Sequence, residues 1–133
     1  MISSMERSFF KAIKLIYETI LSKGLFWIAS RPDDAINFSQ AGGSSRIEKT
    51  GVWWCSMPYS DRIRYQSFVD NKDDIEKKWD KQWGDRLTEL VFIGQNLNRS
   101  MIILDLESCL LNKDDLKQFH SGELFEDPFP KSL

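Results

Sequence analysis

Residues Lys23 to Met57, KGLFWIASRPDDAINFSQAGGSSRIEKTGVWWCSM, decide how the chain is read. The stretch opens on an apolar run too short to span a membrane and rich in strand formers, Leu25, Phe26, Trp27 and Ile28. The turn signal Arg31-Pro32-Asp33-Asp34 follows, then an extended segment from about Ile36 to Glu48, then the pair Trp53-Trp54. Strand, turn and strand with aromatics throughout predict an antiparallel sheet with a bulky core face. The first strand, about Leu25 to Ser30, is apolar on both faces, which places it centrally in the sheet. Gly42-Gly43 reads as a bulge or sharp bend within the second strand, and a short strand is expected at Val52 to Ser56.

Upstream of this stretch, Ser3 and Glu6 stand in a capping-box relation, and Phe9, Ile13, Ile16 and Ile20 recur at helical spacing. An amphipathic helix over residues 1–22 is expected, with Lys23 in its last turn and Gly24 as its stop. A small domain needs such a stripe for its core, so the helix is expected to pack on the sheet and not on a membrane surface.

Downstream, Pro58 to Asn71 shows no clear period and reads as a long surface connection. Asn71 is placed to cap a short helix from about Asp73 to Lys81. Leu87 to Ile93 is a strand after the turn at Gly84-Asp85-Arg86. Asn98 caps a helix over Arg99 to about Leu111, whose inner face is Ile102, Leu106, Cys109 and Leu110. Asn112 with Asp115 marks another helix, and Asp127-Pro128-Phe129-Pro130 must be extended. The expected class is α+β: about four antiparallel strands with helices on one face, ferredoxin-like in general character.

A length of 133 residues suits one domain, 1–133, with a true core. With 18 basic and 20 acidic side chains the net charge is −2, so no strong field favours nucleic acid or an anionic membrane. The N-terminal residues lack an uninterrupted apolar core of signal-peptide length, so a cytoplasmic location is expected. Cys55 and Cys109 sit in apolar surroundings and read as reduced thiols, not a disulfide.

Candidate chemistry is sparse. His120 is the single histidine, and no nucleophile signature accompanies it. A zinc site needs about four ligands; the soft ones available are Cys55, Cys109 and His120, without Cys-x-x-Cys or His-x-x-x-His spacing. The pairs Asp33-Asp34, Asp73-Asp74 and Asp114-Asp115 lie at turns and helix starts, where carboxylates bond free backbone N–H groups. Trp53 and Trp54 face opposite sides of a strand, so at least one belongs to the core. An enzyme is not expected.

An ordered set of segments carries a resemblance. These are Lys23-Gly24 leading into Phe26-Trp27-Ile28-Ala29-Ser30-Arg31-Pro32-Asp33, then Phe38-Ser39-Gln40-Ala41-Gly42-Gly43, then Arg46 with Glu48. Gly51-Val52-Trp53-Trp54, Trp83-Gly84-Asp85-Arg86, Glu89-Leu90-Val91-Phe92-Ile93-Gly94, Cys109-Leu110-Leu111 and Asp127-Pro128-Phe129-Pro130 complete it. Over about Lys23 to Pro130 the chain resembles the C-terminal domain of the CobW-type GTPases, a family of metal chaperones. The resemblance implies an α+β module that follows a P-loop GTPase domain and serves in partner or client recognition. Zinc and GTP are associated with that other domain, which carries the nucleotide site and a Cys-x-Cys-Cys motif. This chain has neither Gly-x-x-x-x-Gly-Lys-Ser/Thr nor Cys-x-Cys-Cys, so it cannot act as a GTPase by itself.

The resemblance therefore implies a non-enzymatic accessory module that meets a CobW-type GTPase domain or a metalloprotein client. Alternatives are a small zinc-binding protein using Cys55, Cys109 or His120, and the separated half of a split GTPase. Gln40, Arg46, Glu48, Trp53 and Trp54 are the expected partner-binding positions, with Lys23 and Arg31 as further polar candidates. The family's first strand and its Phe-His-Pro segment have no clear counterpart here, which leaves a sheet edge open for a partner strand or a homodimer.

Overall fold

Strand β1 (Thr19–Ile28) runs through the middle of the sheet. The computed structural model describes residues 19–127 together with Phe129 and Lys131. β1 pairs antiparallel with β2 (Arg31–Ala41) on one side and with β4 (Glu89–Gly94) on the other. β3 (Ser44–Val52) pairs with β2, giving the order β3-β2-β1-β4. The apolar character of both faces of β1 thus has the expected cause, a central position. Four antiparallel strands with five helices among the described residues make the expected α+β arrangement.

The structure corrects several expected boundaries. The N-terminal helix cannot reach Lys23, because Thr19–Lys23 are strand; its remaining residues lie outside those described. Gly24 is not a helix stop. There β1 passes so close to β4 that a Cβ would overlap the Glu89 carbonyl oxygen. The β1–β2 connection is Ala29-Ser30, and the expected turn Arg31-Pro32-Asp33-Asp34 is already strand, since Ile28 pairs with Arg31. Gly42-Gly43 is the two-residue loop of the β2–β3 hairpin and not a bulge; Gly42 takes φ +55°, the sign such tight loops require.

The short strand expected at Val52 to Ser56 is not formed: β3 ends at Val52, and Trp54–Ser56 forms a 3-10 turn. The expected loop over 58–71 contains α1 (Tyr59–Arg62) and α2 (Gln66–Asp70). α3 (Lys72–Lys77) follows, ending four residues earlier than expected, and the Asn71 side chain donates to the Ser67 carbonyl instead of capping it. α4 (Arg99–Glu107) and α5 (Lys113–Ser121) start where their caps indicated. The Asn98 side chain accepts from Met101 N–H at 3.2 Å, and Asn112 with Asp115 forms a full capping box.

Alternation along β1 divides the interior in two. Phe26 and Ile28 of β1, with Ile36 and Phe38 of β2, pack against Leu106 and Cys109 at the C-terminal end of α4. The opposite face holds a smaller cluster of Trp27, Ala35 and Trp53, closed by Trp83 and Cys55. The first cluster holds the helix α4; the second organises the segment between β3 and β4.

The aromatic corner as a candidate functional site

The segment Trp83-Gly84-Asp85-Arg86 is delivered by a tight backbone turn. Asp80 and Gly84 exchange N–H···O bonds of 2.9 Å, and Asp80 Oδ1 accepts from the Gln82 and Trp83 N–H groups at 2.8 Å. Gly84 takes φ +69° and faces Cys55, where any Cβ would strike the thiol-bearing side chain. That close approach brings three side chains to bear. The Trp83 ring meets Trp27 edge-on at 5.0 Å. Asp85 accepts the backbone N–H groups of Trp54 and Cys55 at 2.9 and 2.8 Å, fixing the start of the 3-10 turn. Arg86 donates to the Pro32 carbonyl at 2.9 Å, to Asp33 and to Ser56 Oγ, while its guanidinium lies 5.5 Å above Trp27.

Segments far apart in the sequence are thus tied at one corner, the start of β2, the exit of β3 and the approach to β4. Beside it opens a groove with a volume of about 520 Å³, lined mainly by Val52, Trp53, Trp54, Met57 and Tyr65. Trp54 is partly exposed and meets Tyr65 edge-on at 5.7 Å and the buried Phe68 at a tilt at 5.1 Å. Trp53 is buried, and its indole N–H has no hydrogen-bond partner. The expectation that one tryptophan is core therefore holds. Tyr65 was hidden from sequence reasoning, because helices of four and five residues are too short to show a period.

The remaining candidate residues are placed as follows. Gln40 is turned inward: it accepts from Ser22 Oγ at 3.2 Å and donates to the Gly42 carbonyl at 3.3 Å, so its polar ends are satisfied within the fold. Arg46 and Glu48 reach solvent from β3 and pair with each other at 2.9 Å. Lys23 is exposed on β1, and Arg31 pairs with Asp127 at 2.6 Å, tying the C-terminal tail to β2.

The three soft metal ligands do not converge. Cys109 is buried in the cluster against α4, on the opposite side of the sheet from Cys55. Cys55 and His120 both touch Trp83, the thiol at its carbonyl oxygen and the imidazole stacked on its ring at 5.7 Å. Among the described residues no group of three or more His, Cys, Asp or Glu side chains is arranged to hold a metal ion. The donor set does not fit a resident zinc. Burial first, then the Asp85 carboxylate, push the Cys55 thiol above its ordinary value, and burial raises that of Cys109. Both changes disfavour the thiolate that binds metal. No helix among the described residues is long and apolar enough to cross a membrane.

Residues 8–110 match the family described as the cobalamin synthesis protein cobW C-terminal domain. The chain belongs to this family. The CobW C-terminal domain is a non-catalytic module of GTPase-family proteins. A "Zinc-regulated GTPase metalloprotein activator 1" of Dictyostelium discoideum is 38% identical over 96 residues, 71% of this chain and 19% of its own length. A zinc chaperone of Mycobacterium tuberculosis is 26% identical over 119 residues, 89% of this chain and 29% of its own length. The chain thus spans less than a third of the curated relatives it matches. No solved structure matches it. The segment Trp83-Gly84-Asp85-Arg86 lies within the matched residues and builds the corner: Asp85 fixes the backbone of Trp54 and Cys55, and Arg86 ties it to Pro32.

Proposed function

We propose that the chain is a non-enzymatic recognition module of a cytoplasmic, GTP-dependent metal-chaperone system. In this reading it contacts a CobW-type GTPase domain or a metalloprotein client through the aromatic groove at Trp54 and Tyr65. The observation that carries the reading is the use of the motif residues. Asp85, Arg86 and Asp33 are occupied in fixing a rigid corner, and what that corner presents to solvent is an aromatic groove, not a reactive group. Partly exposed aromatics on a rigid support are the side chains most enriched at protein contacts. Zinc and GTP enter this function through the partner.

The test is calorimetric titration of the purified chain with the isolated GTPase domain of a CobW-type relative. Saturable binding is expected, weakened at least about tenfold by Tyr65→Ala, which removes an exposed ring from the groove. Binding unaffected by that variant, or absent altogether, removes the groove from the function. Zinc titration of the reduced chain separates the metal-carrier reading. Stoichiometric uptake abolished by Cys55→Ser with Cys109→Ser would establish that reading instead, and no uptake is expected.

A further inference from the structure

The two edges of the sheet are built differently. β3 carries Arg46, Glu48 and Lys49, and charged side chains of this kind keep an edge from pairing with other strands. β4, Glu-Leu-Val-Phe-Ile-Gly, has one charged residue, Glu89, and no proline, and its outer edge pairs with nothing among the described residues. Val91 and Ile93 are 44% and 51% exposed on the face opposite the main core. On the core face, a groove of about 580 Å³ runs between β4 and α4, lined chiefly by Leu90, Phe92, Leu97, Ile103 and Leu110. Of the thirteen exposed large hydrophobic side chains described, seven fall between Leu87 and Leu110. The concentration of apolar surface beside an edge with a single charge marks an interface.

We propose that a second copy of this chain occupies that edge, the two β4 strands pairing antiparallel about a two-fold axis through Val91. The charge distribution favours a second copy. A two-fold axis at Val91 sets Glu89 across from Ile93 and Leu90 across from Phe92, so the single carboxylate of each strand never meets its like. The same operation sets the two apolar grooves side by side on one face of a continuous eight-stranded sheet. It leaves the charged β3 edges at the two ends, where further growth stops. This interface is separate from the aromatic corner, so it stands or falls independently of the proposed recognition function.

Sedimentation equilibrium of the full chain tests this. A mass twice the 15.6 kDa of one chain is expected at high micromolar concentration. Val91→Lys places two ammonium groups opposite each other on the axis and should raise the dissociation constant at least about tenfold, with unchanged circular dichroism. Arg46→Ala with Glu48→Ala on β3 should leave the dimer intact. Should the lysine variant lose its fold, Val91→Cys decides: residues directly opposite in an antiparallel pair lie within disulfide reach, so mild oxidation should link two chains covalently. A monomeric chain, a dimer that survives the lysine substitution in a folded variant, dissociation by the β3 variant, or no cross-link at position 91 overturns the proposal.

Discussion

Asp85 accepts the backbone N–H of Cys55 through one carboxylate oxygen at 2.8 Å, thirty positions away in the chain, and that of Trp54 through the other at 2.9 Å. Removing the carboxylate leaves two part-buried donors without a partner. Asp85→Ala should therefore cost about 2–4 kcal/mol of stability, read from the urea midpoint. Asp85→Asn, which keeps one acceptor oxygen, should cost less. Equal, negligible losses in both variants would mean that the turn holds itself.

Gly24 gives a steric prediction. A methyl group there overlaps the Glu89 carbonyl oxygen and comes within 2.8 Å of a Leu90 methyl carbon, so Gly24→Ala should force β1 and β4 apart. The expected cost is roughly 1–3 kcal/mol. Gly43→Ala, with nothing within 4 Å of the new carbon, is the matched control and should change thermal stability little.

The thiols predict a pH dependence. Both folded-state values are raised, chiefly by burial, so the folded chain holds these protons more tightly than the unfolded chain does. The contribution to stability is complete below the ordinary thiol value of about 8.5 and is lost as pH rises above it. Denaturation midpoints should fall between neutral and alkaline pH, and fall less in Cys55→Ser. Alkylation of Cys55 in the folded chain should be slower than that of a free thiol at the same pH.

The Arg31–Asp127 ion pair fastens the tail. Arg31 also reaches the Phe129 carbonyl at 3.4 Å. Asp127→Ala should release this end and expose the Phe125–Glu126 bond to chymotrypsin, with cleavage several-fold faster. The accompanying loss of global stability should be about 1 kcal/mol, since the pair is partly exposed. An unchanged cleavage rate would show that other contacts hold the tail.

Much of the fold was legible because its signals are local. The apolar double face of β1, the alternation in β4 and the asparagine caps at Asn98 and Asn112 each act within a few residues. The errors arise where the cause is distant. Gly24 looks like a helix stop until the Glu89 carbonyl of a strand sixty-five positions later is known to need the space. Gly42-Gly43 suits a bulge or a hairpin equally well, and only the pairing of Ala41 with Ser44 decides. The candidate site was half visible. The tryptophan pair drew attention by composition, but Asp85, which sets its backbone, and Tyr65, which completes the groove, become neighbours only through tertiary structure.

The strand order has a kinetic consequence. β1, β2 and β3 are joined by two tight turns and can assemble with little loop-closure entropy, whereas β4 must return across the whole segment from Trp53 to Thr88. During synthesis the central strand β1 therefore emerges with one flank open and stays so until β4 has been made. Over that interval its row of Leu25, Phe26, Trp27 and Ile28 is open to aggregation, and the pace at which β4 arrives sets how long that hazard lasts.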